Sequence, residues 1–437
     1  MQKFLFSKID NSPLIIFRIL FGLLITLESW GAIATGWVLR VLIEPQFTFN
    51  FIGFEFLQPL PGNGMYYYFF LMGLCGIAVM LGFRYRIAIV SFTILWAGAY
   101  LMQKSSYNNH YYLLFLLNII MCFLPAHKNL SFDVKHNYTQ KTDWMPSWVK
   151  WLIVTQLFIV YTYASVAKFY PDWLDTTVAA NLMRSKKDFF LIGNIVQQKW
   201  AHYVIAYFGI IFDGLIIPAL LYKRTRKIAF LLAIFFHLYN SFVLHIGIFP
   251  YLALAFCVFF FEPKVIRKLF YSKTKKEITD TNESFQPKSW IIISIGIWLL
   301  IQTLLPLRHW FIPGDVLRTE EGHRLSWRMM LRSKGGSNTF FVKEKKDENS
   351  PLKRIDLRAY LTKKQIRSMG GKPDLIWQFA QHLKKTYKSQ GKDIEVYVKN
   401  RLRVNGKKQQ PLIDFSTDLA SVEWDYFKHN YWIVIEE

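Results

Sequence analysis

Long apolar stretches separated by short polar connections make up most of the chain as far as residue 306. They cover residues 13–33, 65–82, 87–102, 110–125, 148–168, 201–222, 228–244, 246–262 and 289–306. Most approach the roughly 20 residues that a helix needs to cross about 30 Å of hydrocarbon. We therefore predict an α-helical integral membrane bundle of about eight or nine transmembrane helices, in which one of the shorter stretches, 87–102 or 110–125, could be re-entrant.

The pattern changes after residue 306, where the composition becomes that of a soluble domain. Residues 374–387 carry apolar side chains at helical spacing, and residues 394–404 alternate like a strand before an Asn-Gly turn signal. These features predict a small α+β extramembrane domain. The predicted division is a transmembrane domain at 1–306 and a C-terminal domain at 307–437.

The composition is typical of a membrane protein, and the positions of the basic residues indicate its orientation. Of the residues, 52% are hydrophobic and 18% aromatic, too apolar for an ordinary soluble enzyme. Lys and Arg outnumber Asp and Glu by 53 to 30, a formal charge of +23. The basic residues concentrate in alternate connections, which predicts a cytoplasmic N-terminus and an outer C-terminal domain. In a bacterium the outer side is the periplasm, and in a eukaryote it is the ER lumen.

The same positive charge limits the classes of binding partner. Anionic membrane lipid accounts for the basic cytoplasmic loops. By itself, the charge of the basic tail would suggest nucleic acid or anionic lipid as a partner. The sequence leaves the oligomeric state open.

The chain lacks the residues that several classes of structural and catalytic site need. The three cysteines, Cys75, Cys122 and Cys257, each lie in an apolar run, which argues against a disulfide scaffold and a thiolate zinc site. We expect no metal. The sequence contains no P-loop, dinucleotide glycine fingerprint or nucleophile elbow.

A lysine at the end of the fifth apolar stretch is the strongest candidate for chemistry. An ionisable residue within a membrane span costs several kcal/mol unless it is paired or hydrated. Tyr161, Ser165 and Lys168 stand at i, i+4 and i+7, on one helical face. Lys168 could extend to the interface, or burial could leave a neutral amine that acts as a general base.

Two amides and a histidine open the fourth stretch. Asn108 and Asn109 precede His110, and a helix cap alone would explain an asparagine there. The alternative is a hydrogen-bonding floor for a polar ligand.

A polar stripe and two isolated charges complete the candidates. His237, Asn240 and Ser241 share one helical face, so this face must contact protein or water rather than lipid. Arg18 and Asp213 are conspicuous charges in other stretches. We expect them to be structural, held in an ion pair or by backbone carbonyl groups.

Taken in order, these segments resemble the vitamin K-dependent γ-carboxylases and the wider group built on the horizontally transferred transmembrane (HTTM) domain. The resemblance is to a short, bacterial-type member and spans nearly the whole chain. It implies a bacterial inner-membrane protein whose C-terminal domain lies in the periplasm. It also makes an acidic, glutamate-bearing peptide a better partner for the basic tail than nucleic acid. The segments that carry it are Phe17 to Gly22, Leu57 to Tyr66, Met80 to Arg86, Lys104 to His110, Phe158 to Lys168 with Asp172-Trp173, Phe236 to Ser241 with Ile246-Gly247, and Ser326 to Met330 with Asp393 to Tyr397.

The resemblance implies a chemistry. A lysine amine deprotonates reduced vitamin K, which reacts with O2 to form a strong base; this base removes a γ-proton from a peptide glutamate, and CO2 adds to the carbanion. The products are γ-carboxyglutamate and the quinone epoxide. The cofactor is implied to be menaquinol or phylloquinol, with O2 and CO2 as co-substrates and a Glu-containing secreted peptide or protein as substrate.

The resemblance also assigns residues. Lys168 matches the catalytic base, and Asn109 and His110 match a pair associated with the active centre. Trp327, Arg332 and Lys334 are the glutamate-binding candidates. The implied quinol or substrate pocket contains Asn108, Tyr161, Ser165, His237, Asn240 and Ser241.

Two other functions stay open on the sequence. One is a quinol epoxidase that does not carboxylate. The other is a non-catalytic membrane module that binds partners through its basic tail.

Overall fold

A computed structural model describes residues 2–190, 192–271, 283–345 and 350–435 of the chain. Helices make up most of its first part. They are α1 (Gln2–Leu5), α2 (Ser12–Ala34), α3 (Gly64–Leu81), α4 (Tyr85–Met102), α5 (Asn109–Phe123), α6 (Phe132–Lys135), α7 (Trp148–Val166), α8 (Pro171–Leu174), α9 (Thr177–Arg184), α10 (Gly193–Val196), α11 (Lys199–Leu221), α12 (Arg226–Phe242), α13 (Phe249–Phe256), α14 (Pro263–Phe270) and α15 (Ser289–Leu304). The strands β1 (Lys8–Asp10) and β2 (Trp144–Pro146) pair antiparallel.

The predicted helical membrane bundle is confirmed. Each of the nine predicted apolar stretches falls on helical residues. Within the described residues, six helices are long and apolar enough to cross a bilayer, and a seventh span results if the bent pair α13 and α14 counts as one. The predicted count of eight or nine therefore depends on the shorter α5 and α12, of 15 and 17 residues.

Helices α2 and α3 approach each other closely through glycines. A Cβ added to Gly22 would lie 2.3 Å from the backbone nitrogen of Met80, and one added to Gly76 would lie 2.4 Å from Oγ1 of Thr26. Apolar side chains gain little by leaving lipid for another helix, so small residues that permit backbone contact drive this packing.

Arg18, a fully buried residue of α2, is held by backbone carbonyls. Its guanidinium donates to the carbonyl oxygen of Leu130 at 2.6 Å and to that of Ala126 at 3.3 Å. Gly82 makes room for it, because an added Cβ there would lie 2.4 Å from Nη1 of Arg18. Arg18 thus takes the carbonyl-bonded arrangement and does not pair with Asp213.

The C-terminal part contains a three-stranded antiparallel sheet and helices packed on it. The sheet order is β4 (Lys353–Arg354), β3 (Lys334–Glu344) and β5 (Ile394–Val404). The remaining helices are α16 (Val316–Thr319), α17 (Lys363–Met369) and α18 (Pro373–Ser389). The predicted strand at 394–404 and helix at 374–387 are confirmed by β5 and α18. Asn405 and Gly406, the turn signal, both have positive φ.

This domain covers one end of the bundle through a buried ionic contact. Asp374, in α18, pairs with Lys104 at 2.7 Å and with Arg324 at 2.5 Å. The carboxylate and the amine are 3% and 2% exposed. Burial raises the pKa of the Asp374 carboxyl, but the charges of Arg324 and Lys104 outweigh burial. They hold this pKa below its ordinary value.

Loops from the same end of the bundle contribute to the contact. Phe49, from the connection between α2 and α3, is fully buried in the core of the C-terminal domain. Gln365 donates to the carbonyl oxygen of Phe47 at 2.6 Å, and Asn405 donates to Asp172, just after α7, at 2.9 Å. The connections contacted here are those that the charge pattern assigns to the same side as the tail.

The close contact of α2 and α3 generates a stability prediction. Gly22→Val places side-chain atoms against the backbone of α3, so the helices must separate, at a cost of about 1–3 kcal/mol or more. We expect a lower melting temperature in detergent. The control is Gly296→Val in α15, where an added Cβ would meet no atom of the described residues within 4 Å. Equal losses in both variants would contradict this account.

The ionic contact generates a second prediction. Asp374→Asn leaves Lys104 and Arg324 buried without a counter-charge, which typically costs about 3–5 kcal/mol. Thermal unfolding in detergent should show a large loss of stability. Glu283→Gln, which removes an exposed partner of Lys8, is the control and should change the melting temperature little. A melting temperature of the Asp374 variant close to that of the control would show that the buried pair is dispensable.

Candidate functional site

Lys168 lies inside the protein, two residues after the end of α7. Its side chain ion-pairs with the carboxylate of Asp213, on α11, and donates to the carbonyl oxygen of Ala164 at 2.9 Å. The Trp173 ring lies 5.5 Å from Nζ. Only 7% of Lys168 is exposed, so the side chain does not extend to the interface. Asp213, expected to have a structural role, is the ion-pair partner of the candidate base.

The predicted face of α7 is present. Tyr161 Oη lies 3.0 Å from Nε2 of His237, on α12, and Ser165 donates to the carbonyl oxygen of Ile210 at 2.9 Å. Tyr161, Ser165 and Lys168 are all buried. The i, i+4, i+7 spacing thus directs all three side chains into the bundle.

His110 joins this group through an aromatic residue that the sequence analysis did not single out. Its ring stacks on that of Phe249, with centroids 4.5 Å apart, and His237 contacts the same ring edge-on at 5.7 Å. Tyr161 lies 6.5 Å from Phe249. Residues from α5, α7 and α12 therefore converge around one ring of α13.

The two asparagines before His110 have different surroundings. Asn108 caps α5, since its side chain accepts from the backbone N–H of Tyr111 at 2.8 Å. Asn109 is buried and accepts from the hydroxyl of Tyr107 at 2.8 Å. Its amide donates to the backbone carbonyl of Arg328 at 3.1 Å, which connects the bundle to the segment before the sheet.

The other residues of the polar stripe on α12 differ in depth. Asn240 is buried, 8% exposed. Ser241 is half-buried, and its hydroxyl lies 2.8 Å from that of Tyr251. His237 and Asn240 therefore face protein, which is one of the two surroundings expected for the stripe.

The three glutamate-binding candidates lie in the segment that joins the bundle to the sheet. Trp327 is fully buried and stacks on Tyr112, with ring centroids 4.8 Å apart. Arg332 and Lys334 both bind the carboxylate of Glu320, at 2.8 Å from Nε and 2.9 Å from Nζ. Burial raises the pKa of the Glu320 carboxyl, but the two cations outweigh burial and hold this pKa well below its ordinary value.

Sequence reasoning missed Glu320, Arg328 and His309. Arg328 and His309 contact each other, with Nη1 and Nε2 3.2 Å apart. The sequence did contain a signal for Glu320, because Glu320-Glu321 is an acidic pair within a basic tail. No local pattern could have identified the contact of Arg328 with His309.

The buried cluster places hydrogen-bonding groups among apolar side chains. His237 and Tyr161 line a void of about 10 Å³ whose other walls are apolar, so a ring-sized ligand would need these walls to move apart. Nδ1 of His237 is buried with no hydrogen-bond partner in the described part of the chain. Because an unpaired buried nitrogen is costly, a ligand hydroxyl is a suitable partner for it. Within that same part, no cluster of three or more His, Cys, Asp or Glu side chains could hold a metal ion.

Comparison with known families agrees with the division of the fold. Residues 6–264 match the model of the HTTM domain. Residues 286–437 match the model described as the lumenal domain of vitamin K-dependent gamma-carboxylase. No solved structure matches the chain. Together the two matches cover nearly all of the sequence, and the first alone covers more than half. The chain therefore belongs to the vitamin K-dependent γ-carboxylase family, as a multi-pass membrane protein with an HTTM domain and a lumenal domain.

Proposed function

We propose that this protein is a vitamin K-dependent γ-glutamyl carboxylase that couples oxygenation of the quinol to carboxylation of a peptide glutamate. The observation that carries the proposal is the burial of the Lys168 amine against Asp213, at the position that matches the lysine base of the family. The two family matches support the same reaction class.

Nζ of Lys168 is the proposed proton acceptor, in the state in which it is a neutral amine beside the Asp213 carboxylate; accepting the proton then gives the ion pair. An amine that takes a proton becomes an ammonium, and a buried ammonium needs a counter-charge. Asp213 supplies that charge from the neighbouring helix. The carbonyl oxygen of Ala164 accepts a hydrogen bond from the same nitrogen, which orients it.

His110, Tyr161 and His237 are the proposed contacts of the cofactor, with Asn109 beside them. When bound, reduced vitamin K supplies, together with O2, the oxidation that generates the base for glutamate. The chain contributes hydrogen-bonding groups in an apolar setting, where interactions with charge are stronger than in water. Burial of these side chains also excludes water, which would protonate a carbanion before CO2 could add to it.

The glutamate substrate approaches from the side of the C-terminal domain in this scheme. A proton next to a carboxylate is removed only if nearby cations stabilise the extra negative charge. The segment at 320–334 is rich in arginine and lysine and lies over Asn109. We infer that this side is the periplasm of a bacterium, where menaquinol would be the available cofactor and secreted peptides the substrates.

Removing the lysine amine tests the proposed base. Lys168→Ala should abolish epoxide formation by purified protein given a reduced naphthoquinone, O2 and bicarbonate, because no other group is assigned to accept the first proton. Lys199→Ala, which removes an exposed lysine at the start of α11, is the matched control and should retain activity. Undiminished epoxide formation by the Lys168 variant would refute the assignment.

Mass spectrometry tests the carboxylation step itself. A Glu-containing secreted peptide co-expressed with the wild-type protein should gain the mass of one CO2 on glutamate, and it should gain none with Lys168→Ala. Epoxide formation without that gain in the wild type would identify a quinol epoxidase instead.

A further inference from the structure

The cations first assigned to the glutamate substrate already hold a carboxylate of the chain itself. Arg332 binds both oxygens of Glu320, at 2.8 Å from Nε and 2.6 Å from Nη2, and Lys334 adds a contact at 2.9 Å. The Glu320 side chain is only 4% exposed. A substrate carboxylate would have to displace this buried partner, and breaking such a pair is costly.

Arg328, four residues before Arg332, keeps the capacity to bind an anion. Its Nη1 donates to Nε2 of His309 at 3.2 Å. In the described ranges its guanidinium forms no ion pair, and its Nε is buried without a hydrogen-bond partner, while the Asp315 carboxylate interacts with its charge at longer range. Burial first, and then the charge of Arg332, lower the pKa of Arg328, while Asp315 and Glu320 offset part of this lowering. A bound anion would relieve both effects.

The position of Arg328 is fixed at two points. Its backbone carbonyl accepts from the side-chain amide of Asn109 at 3.1 Å. Its side chain is oriented by His309, whose Nδ1 donates to the carbonyl oxygen of Pro306 at 2.7 Å and so leaves Nε2 as an acceptor. Groups held in this way lose little freedom when they bind a ligand.

Arg328 lines a cleft of about 620 Å³. Polar residues of its lining are Arg328, His309, Ser326 and Asp315, and the lining also includes Ala167 and Phe169, the residues on either side of Lys168. The volume is within the range of small-molecule sites. A glutamate side chain in this cleft would lie beside the segment that carries Lys168, whose amine itself points to Asp213 and does not line the cleft.

We propose that Arg328 binds the γ-carboxylate of the substrate glutamate in this cleft, with Asn109 and His309 as positioning residues. The inference rests on the proposed function and specifies its substrate site. A guanidinium matches a carboxylate with two parallel hydrogen bonds. It also offsets the charge that develops on that carboxylate when the γ-carbon gives its proton to the base of the proposed reaction.

Peptide binding without quinol tests the site independently of activity. The full-length protein in detergent is titrated into a fluorescent Glu-containing peptide and, separately, into the same peptide with Gln in place of Glu, and anisotropy is measured. The wild type should prefer the Glu peptide. Arg328→Gln should lose that preference by roughly tenfold or more, and Arg328→Lys should retain part of it, because a charge remains without the paired hydrogen bonds.

Two arginine variants complete the comparison. Arg354→Gln alters an exposed arginine of β4 and should bind like the wild type. Arg332→Gln should keep a preference for Glu, because that arginine binds Glu320. Loss of the preference in Arg332→Gln with retention in Arg328→Gln would overturn the proposal. A melting temperature near that of the wild type shows that a variant is folded. If Arg328→Gln does not fold, Arg328→Lys takes its place in the binding test.

Epoxide formation separates this inference from the proposed function. A wild type that prefers the Glu peptide but forms no epoxide would refute the quinol chemistry and leave the carboxylate site supported. A wild type that forms epoxide while Arg328→Gln and Arg328→Lys keep the full preference for Glu would refute the carboxylate site alone.

Discussion

The buried contact between Lys168 and Asp213 is the constraint on which the membrane part depends. Neither charge is stable alone in an apolar interior, so each requires the other and the close packing of α7 on α11 that brings them together. The same packing directs Tyr161 and Ser165 inward. Around this contact, residues of α5, α12 and α13 form a protected cluster in which proton transfer can occur away from water.

The segment between the bundle and the sheet connects this cluster to the C-terminal domain. Four of its residues, Glu320, Leu325, Trp327 and Met330, have positive φ, which is unusual for side chains other than glycine. Such conformations cost of order 1–3 kcal/mol each and persist where the surroundings impose them. Here Tyr107 and the Asp374 contact hold the segment in place. Its side chains are thereby brought over the bundle, beside Asn109.

Much of the fold and part of the candidate site follow from local patterns. Apolar length predicted the membrane helices, strict alternation predicted β5, and helical spacing predicted that Tyr161, Ser165 and Lys168 share a buried face. The resemblance, carried by short motifs in order, predicted the family that the two domain matches confirm. The roles of individual site residues stay predictions, because geometry alone does not establish a reaction.

By itself, the sequence determined which segments are helices or strands and which faces are polar, because these properties depend on residues a few positions apart. The tertiary structure decided the partners. Lys168 with Asp213, Lys104 with Asp374 and Arg328 with His309 pair across 45, 270 and 19 positions of the chain. Nothing local specifies such contacts. They arise because a buried charge must find a counter-charge or a hydrogen bond wherever packing brings one within reach.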